Sequence, residues 1–88
     1  MVRVLLVTSE GCKPCTRVKR VLKELQAAMP DLTVEEVDYN SPTGSKLAVE
    51  NSITYPPAVF IEGTLFEKGK IHTDEMVASI RRPKGANA

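Results

Sequence analysis

The hydrophobic period of this chain changes abruptly at one place, and that change restricts the fold more than any other feature. Residues 2–7 form a short apolar run rich in β-branched side chains, the pattern of a strand covered on both faces. After the polar turn Thr8, Ser9, Glu10 and Gly11, the apolar positions become Cys15, Val18, Val21, Leu22, Leu25 and Met29. Steps of three and four put these side chains on one face of a helix. Pro14 suits the first helical turn, where a missing N–H removes no bond, and Pro30 ends the helix. A strand feeding an amphipathic helix is the first half of a βαβ unit, whose strands run parallel through a right-handed crossover.

The rest of the chain alternates in the same way. Residues 32–39 are expected to form a second strand, covered on both faces and therefore without clean alternation. Ser41 and Pro42 predict an N-cap and a first-turn proline for a short helix reaching to about residue 51. Residues 58–61 and 64–67 are strand-like, and Glu62-Gly63 between them is a tight hairpin turn, so this pair runs antiparallel. Thr73 is placed to cap a last helix, with Asp74 and Glu75 at its positive end and Arg81 and Arg82 at its negative end. Met76, Val77 and Ile80 form its buried face, and Pro83 stops it. There is no internal repeat, low-complexity tract or linker. The expected order is βαβαββα in one α/β domain, a four-stranded mixed sheet flanked by three helices.

Composition removes several function classes. With 88 residues and 42% apolar content, the chain is one small globular domain rather than a disordered one. Twelve bases against 11 acids leave a formal charge of +1, which argues against a nucleic-acid partner. No apolar run approaches the roughly 20 residues of a membrane helix. The run at residues 4–7 is also too short for the roughly 7–15-residue core of a secretory signal. A cytoplasmic monomer with no membrane partner is expected. Two cysteines cannot build the disulfide framework that staples many small secreted domains, so they need another explanation.

The cysteines lie at the strand-to-helix junction, as Cys12-Lys13-Pro14-Cys15. Together with the element order and the segment Tyr55-Pro56-Pro57-Ala58-Val59-Phe60-Ile61-Glu62-Gly63, this motif resembles the thioredoxin superfamily in its short, glutaredoxin-sized form. The resemblance implies a thioredoxin/glutaredoxin-like fold over residues 1–82, with residues 83–88 as a flexible C-terminal tail. It implies thiol–disulfide oxidoreductase activity without a cofactor, serving electron transport and redox homeostasis. It also implies a cis-proline that opens the third strand beside the cysteines, preceded by a residue that contacts the substrate backbone. Spacing to Gly63 favours Pro57 as that proline, and its predecessor is then Pro56, which has no N–H to donate. In the other register Pro56 is cis and Tyr55 supplies the contact. Tyr55 lines the groove in either case.

The chemistry follows from position. A free thiol, with a pKa of about 8.5, offers little thiolate at neutral pH. A helix N-terminus presents unpaired N–H groups and partial positive charge, which favour an anion there. Cys12 stands at that end, while Cys15 lies one turn in, on the face of Val18 and Leu22. Cys12 is therefore expected to attack a substrate disulfide and Cys15 to resolve the mixed disulfide. Lys13 adds a cation nearby. Glutaredoxins usually carry a lysine shortly before the motif and a Gly-Gly-acidic segment after the hairpin, both used to hold glutathione. Here Ser9 and Glu10 precede the motif, Glu67-Lys68-Gly69-Lys70 follows the hairpin, and Asp74 is only distantly comparable. Glutathione use is therefore left open. The tryptophan and the buried first-strand aspartate of typical thioredoxins are also missing. Protein disulfides as substrates and a flavin-dependent thioredoxin reductase as donor are the expected partners.

Rival readings come from other classes. A metal or iron–sulfur carrier would use the same two thiolates, as copper chaperones do with a soft ion. Those proteins usually have a Met two residues before the first Cys and a βαββαβ order, whereas Glu10 holds that position here. A closed zinc site needs four ligands, more than two cysteines and one remote histidine supply. A binding module with an idle disulfide is the remaining rival. Lys13, Arg17, Lys19, Arg20 and Lys23 make the first helix basic up to Glu24. The bland reading is a solvated face. The functional one is a field that stabilises the Cys12 thiolate and steers acidic partners, weakened by salt. His72 reads as a loop residue, and Tyr39 as packing at the end of the second strand.

Overall fold

The computed structural model describes residues 2–81, so Arg82 and the expected tail at 83–88 lie outside the described residues. The elements are β1 (Val2–Thr8), α1 (Lys13–Ala28), β2 (Leu32–Asp38), α2 (Pro42–Glu50), β3 (Ala58–Ile61), β4 (Thr64–Lys68) and α3 (Thr73–Arg81). β1 runs parallel to β2, with Val2 beside Leu32 and Thr8 beside Asp38. β3 is antiparallel to both β1 and β4, which gives a mixed sheet in the order β2-β1-β3-β4.

Strand alternation divides the core between the two faces. Val4 and Leu6 of β1 join Val59 of β3 under α1 and α3, whose buried residues are Val18, Leu22, Leu25, Met76 and Ile80. Val7, Ala58 and Phe60 point the other way, against Ala48 of α2 and Ile53. Each fully buried aliphatic side chain contributes about 1.5–3 kcal/mol relative to exposure. The face under α1 and α3 is the thicker one.

Several local expectations are corrected. β2 is a sheet edge, not a strand covered on both faces: Leu32 is buried while Thr33, Glu35, Glu36 and Asp38 are exposed. An edge strand has one neighbour, and its carboxylates keep water on the open side and discourage further strand pairing. The strand stops at Asp38, so Tyr39 lies past it. Tyr39 donates its N–H to Thr8 C=O at 2.6 Å and its hydroxyl to Ile53 C=O at 3.1 Å. β4 runs one residue further than expected, to Lys68, and α2 ends at Glu50 with Asn51 as its C-cap. In α3 the Met76 N–H bonds His72 C=O at 2.9 Å, so Thr73 sits inside the first turn instead of capping it. Val77 is only half-buried.

Two connections have clear chemical causes. Glu62 (φ 53°) and Gly63 (φ 81°) both take left-handed backbone, the requirement of a two-residue type I′ turn. At the start of α2, Ser41 caps the helix by accepting the Gly44 N–H at 3.0 Å. Gly44 is buried, and a Cβ there would overlap the Asp38 carbonyl oxygen. Only glycine lets α2 approach the end of β2 so closely.

Candidate active site

The chain leaves β1, turns through Ser9, Glu10 and Gly11, and enters α1 at Cys12. The Cys12 N–H bonds Ser9 C=O at 3.3 Å, which closes this turn. Cys12 is the helix N-cap, with extended backbone (φ −81°, ψ 107°), and its Sγ accepts the Cys15 N–H at 3.2 Å. Its C=O accepts both the N–H (3.4 Å) and the hydroxyl (3.3 Å) of Thr16. Cys12 and Cys15 are joined in a disulfide with their Cα atoms 5.3 Å apart. Cys12 is half-buried and Cys15 is 1% exposed, while Lys13 and Pro14 stand in solvent on the first turn. A sulfur at the helix cap thus receives the backbone hydrogen bond that would stabilise it as an anion once reduced.

The proline segment reaches the same end of the sheet. Val7 pairs with Ala58, so the next residue back, Pro57, falls level with Thr8, where β1 ends and the chain turns towards Cys12. The Pro56–Pro57 bond is cis, and Pro57 is among the most fully buried side chains. Pro56 is half-buried and Tyr55 is 60% exposed. The Gly69 N–H bonds Pro57 C=O at 2.7 Å, and the Tyr55 ring lies over Gly69. Lys68 Nζ donates to the C=O groups of Asn51 and Ser52, both at 3.0 Å. Lys68 and Gly69 thereby tie the segment before the cis-proline to the end of β4. Their part in the site has no local signature in the sequence, because each works across a long span of chain.

Thr8 is the one buried polar residue among the described residues, so no buried carboxylate lies under Cys15. His72 lies in the loop between β4 and α3, as expected, and is held there by Glu67. Its N–H and its ring Nδ1 bond the two carboxylate oxygens of Glu67, each at 2.7 Å. The hydrogen bond and charge of Glu67 raise the His72 pKa above 6.5. Burial alone would raise Glu67, but the backbone and ring hydrogen bonds of His72 outweigh it and hold the carboxyl below 4.5. Glu67, His72 and Glu75 bring three ligand atoms within 4.8 Å of one another, with the ring nitrogen already engaged by Glu67.

An open cleft of about 640 Å³ lies on the α2 face of the sheet, lined by Arg3, Leu5, Glu35, Leu47, Phe60 and Glu62 among others. Its lining includes neither cysteine and none of Tyr55, Pro56 and Pro57. The redox chemistry belongs to the opposite end of β1.

A disulfide that caps the helix after β1, with a cis-proline at the same end of a β2-β1-β3-β4 sheet, defines a thioredoxin-superfamily protein. Residues 4–66 match the glutaredoxin family, and the chain belongs to that family. Among solved structures it is similar to mitochondrial thioredoxin 3 from Saccharomyces cerevisiae, with 24% identity, a TM-score of 0.68, and coverage of 91% of this chain and 76% of that one. Thioredoxin f2 from Chlamydomonas reinhardtii gives 20% identity and a TM-score of 0.70, covering 94% and 82%. A chain in the complex of ferredoxin:thioredoxin reductase with thioredoxin f2 gives 21% and 0.70, covering 99% and 78%. No curated protein matched the chain. Family and cysteine pair together support a thiol–disulfide redox function.

Proposed function

We propose that this protein is a dithiol electron carrier that reduces disulfides in other proteins, with Cys12 as nucleophile and Cys15 as resolving thiol. The observation that carries this reading is the asymmetry of the pair: Cys12 is half-buried and its sulfur accepts a backbone N–H at the helix cap, while Cys15 is 1% exposed. In the reduced protein the Cys12 thiolate attacks one sulfur of the substrate disulfide, and the other leaves as a thiolate that takes up a proton. Cys15, deprotonated, then attacks the Cys12 sulfur, expels the second substrate thiol and closes the disulfide seen here. Two electrons and two protons pass to the substrate.

Tyr55, Pro56 and Pro57 wall the site on the strand side, with Lys13 and Pro14 on the helix side. Pro56 has no N–H, so its C=O is the only backbone group it can offer a substrate. The electrons return from a dithiol reductase of the thioredoxin-reductase kind. That choice is supported by a structural neighbour that belongs to a complex with ferredoxin:thioredoxin reductase. Ser9, Glu10 and the Glu67–Lys70 segment stand where glutathione-holding residues would be, which favours the reductase route over glutathione. The reading assigns the protein to the cytoplasm, whose reducing poise lets such a pair cycle.

The test is turnover of insulin disulfides with NADPH and thioredoxin reductase, beside NADPH, glutathione reductase and glutathione. The first system should drive reduction and the second should not, and Cys12→Ser should abolish turnover. Efficient turnover with glutathione alone would overturn the assigned electron source, and activity surviving in Cys12→Ser would overturn the nucleophile.

A further inference from the structure

The charges of the molecule are sorted by element. α1 carries Lys13, Arg17, Lys19, Arg20 and Lys23, and its one acid is Glu24. Most other carboxylates lie elsewhere: Glu35, Glu36 and Asp38 on β2, Glu50 on α2, Glu62 in the hairpin, and Glu67, Asp74 and Glu75 around the start of α3, with Glu10 and Asp31 in the turns before and after α1. Lys13, Arg17 and Arg20 recur at helical spacing on the side opposite Cys15, Val18, Leu22 and Leu25, Lys23 flanks them, and Glu24, one turn beyond Arg20, is the acid that ends the stripe on that side. All four are exposed. Among the described residues, Lys19 is the only α1 base in an ion pair, with Glu36 at 3.5 Å. The chain as a whole is nearly neutral, so this is a separation of charge and not an excess of it.

The stripe begins next to the Cys12 sulfur and runs away from it. At about 1.5 Å of rise per residue, Arg20 lies about 12 Å and Lys23 about 16 Å along the axis from Cys12. Both exceed the Debye length of about 8 Å at physiological salt. They are too far to tune the Cys12 thiolate, yet well placed to meet a surface that docks over it. Two exposed acids stand at this end of the sheet, Glu10 two residues before Cys12 and Asp38 level with Thr8. We propose that the outer face of α1, through Lys13, Arg17, Arg20 and Lys23, is a docking surface for proteins whose disulfide is set in an acidic surface. This rests on the redox reading above. It adds partner selection, which the cysteines themselves do not provide. α1 has no aromatic side chain to stack on bases, so a protein surface fits this face better than a nucleic acid.

Two synthetic peptides that close the same disulfide loop, one flanked by glutamates and one by lysines, separate these ideas. At low salt the wild-type protein should reduce the glutamate-flanked peptide with a kcat/KM at least about tenfold higher, and raising ionic strength should erase the preference. Arg20→Glu/Lys23→Glu should lose the preference and its salt dependence while the alkylation pH profile of Cys12 stays unchanged. Arg3→Glu/Lys46→Glu, with the same change in net charge but away from α1, should keep the preference. Equal rates for the two peptides would overturn the docking surface and leave the redox reading standing. Loss of the preference in both double variants would reduce it to net charge and overturn the surface. Salt-dependent capture of duplex DNA through α1, with no peptide preference, would assign the stripe to another partner. If neither peptide is reduced, the redox reading fails and the docking surface with it.

Discussion

Two cysteines of identical chemistry stand in different surroundings one helical turn apart. Cys12 sits where the helix offers an N–H and partial positive charge, and Cys15 sits under the helix with 1% of its surface exposed. Burial in apolar surroundings disfavours a thiolate, whereas a helix N-terminus favours it. In the reduced protein, iodoacetamide should therefore alkylate Cys12 first, with an apparent pKa below that of a free thiol. Cys15→Ser should accumulate mixed disulfides with partners, whereas Cys12→Ser should accumulate almost none. Equal reactivity of the two thiols would reverse the assignment of roles.

At the scale of elements, the junctions are held by side chain-to-backbone contacts. Lys68 joins the end of β4 to the carbonyls that follow α2, and Glu67 grips both the backbone and the ring of His72 where the chain enters α3. The signs for the Glu67–His72 pair are opposite. The His72 pKa is raised, so its contribution is present at low pH and lost as pH rises through the folded value, above 6.5. The Glu67 pKa is lowered, so its contribution is present above 4.5 and lost as pH falls through the folded value. The contact is therefore fullest between the two. NMR titration should place the His72 midpoint above 6.5, and Glu67→Gln should bring it down. An unchanged midpoint in that variant would show that Glu67 is not the cause. Both side chains are in good contact with water, so the effect on stability should be small.

Across the whole molecule the two faces of the sheet are unequal. α1 and α3 share a cluster drawn from β1, β2 and β3, while α2 rests on the smaller group of Val7, Ala48, Ile53, Ala58 and Phe60. The smaller side also depends on Gly44, which has no room for a Cβ against the Asp38 carbonyl. Gly44→Ala should lower stability by about 1–3 kcal/mol, the usual cost of overpacking, despite the better helix propensity of alanine. Urea unfolding measures the loss, and hydrogen exchange should show it first as weaker protection of the α2 amides. A neutral or stabilising result would mean that α2 can shift outwards freely.

Much of this architecture was legible from local pattern. The strand-to-helix change of period, the prolines at 14, 30 and 42, Ser41 as a cap and Glu62-Gly63 as a turn all act over a few residues, and each stands where the sequence places it. The position of Cys12 and Cys15 at the helix entrance followed from the same signals. Tertiary structure decided what depends on distant neighbours. β2 is an edge because β1 is its one neighbour in the sheet; the carboxylates of residues 32–38 suit that place, but which strands lie side by side is settled by distant segments. His72 acquired Glu67 only when the hairpin returned to α3, and Gly44 became indispensable only because Asp38 lies against it. Local sequence restricts backbone dihedrals and the direction of apolar faces. Which polar groups meet, and which side chains have no space, depends on packing between segments whose separation along the chain leaves no periodic trace.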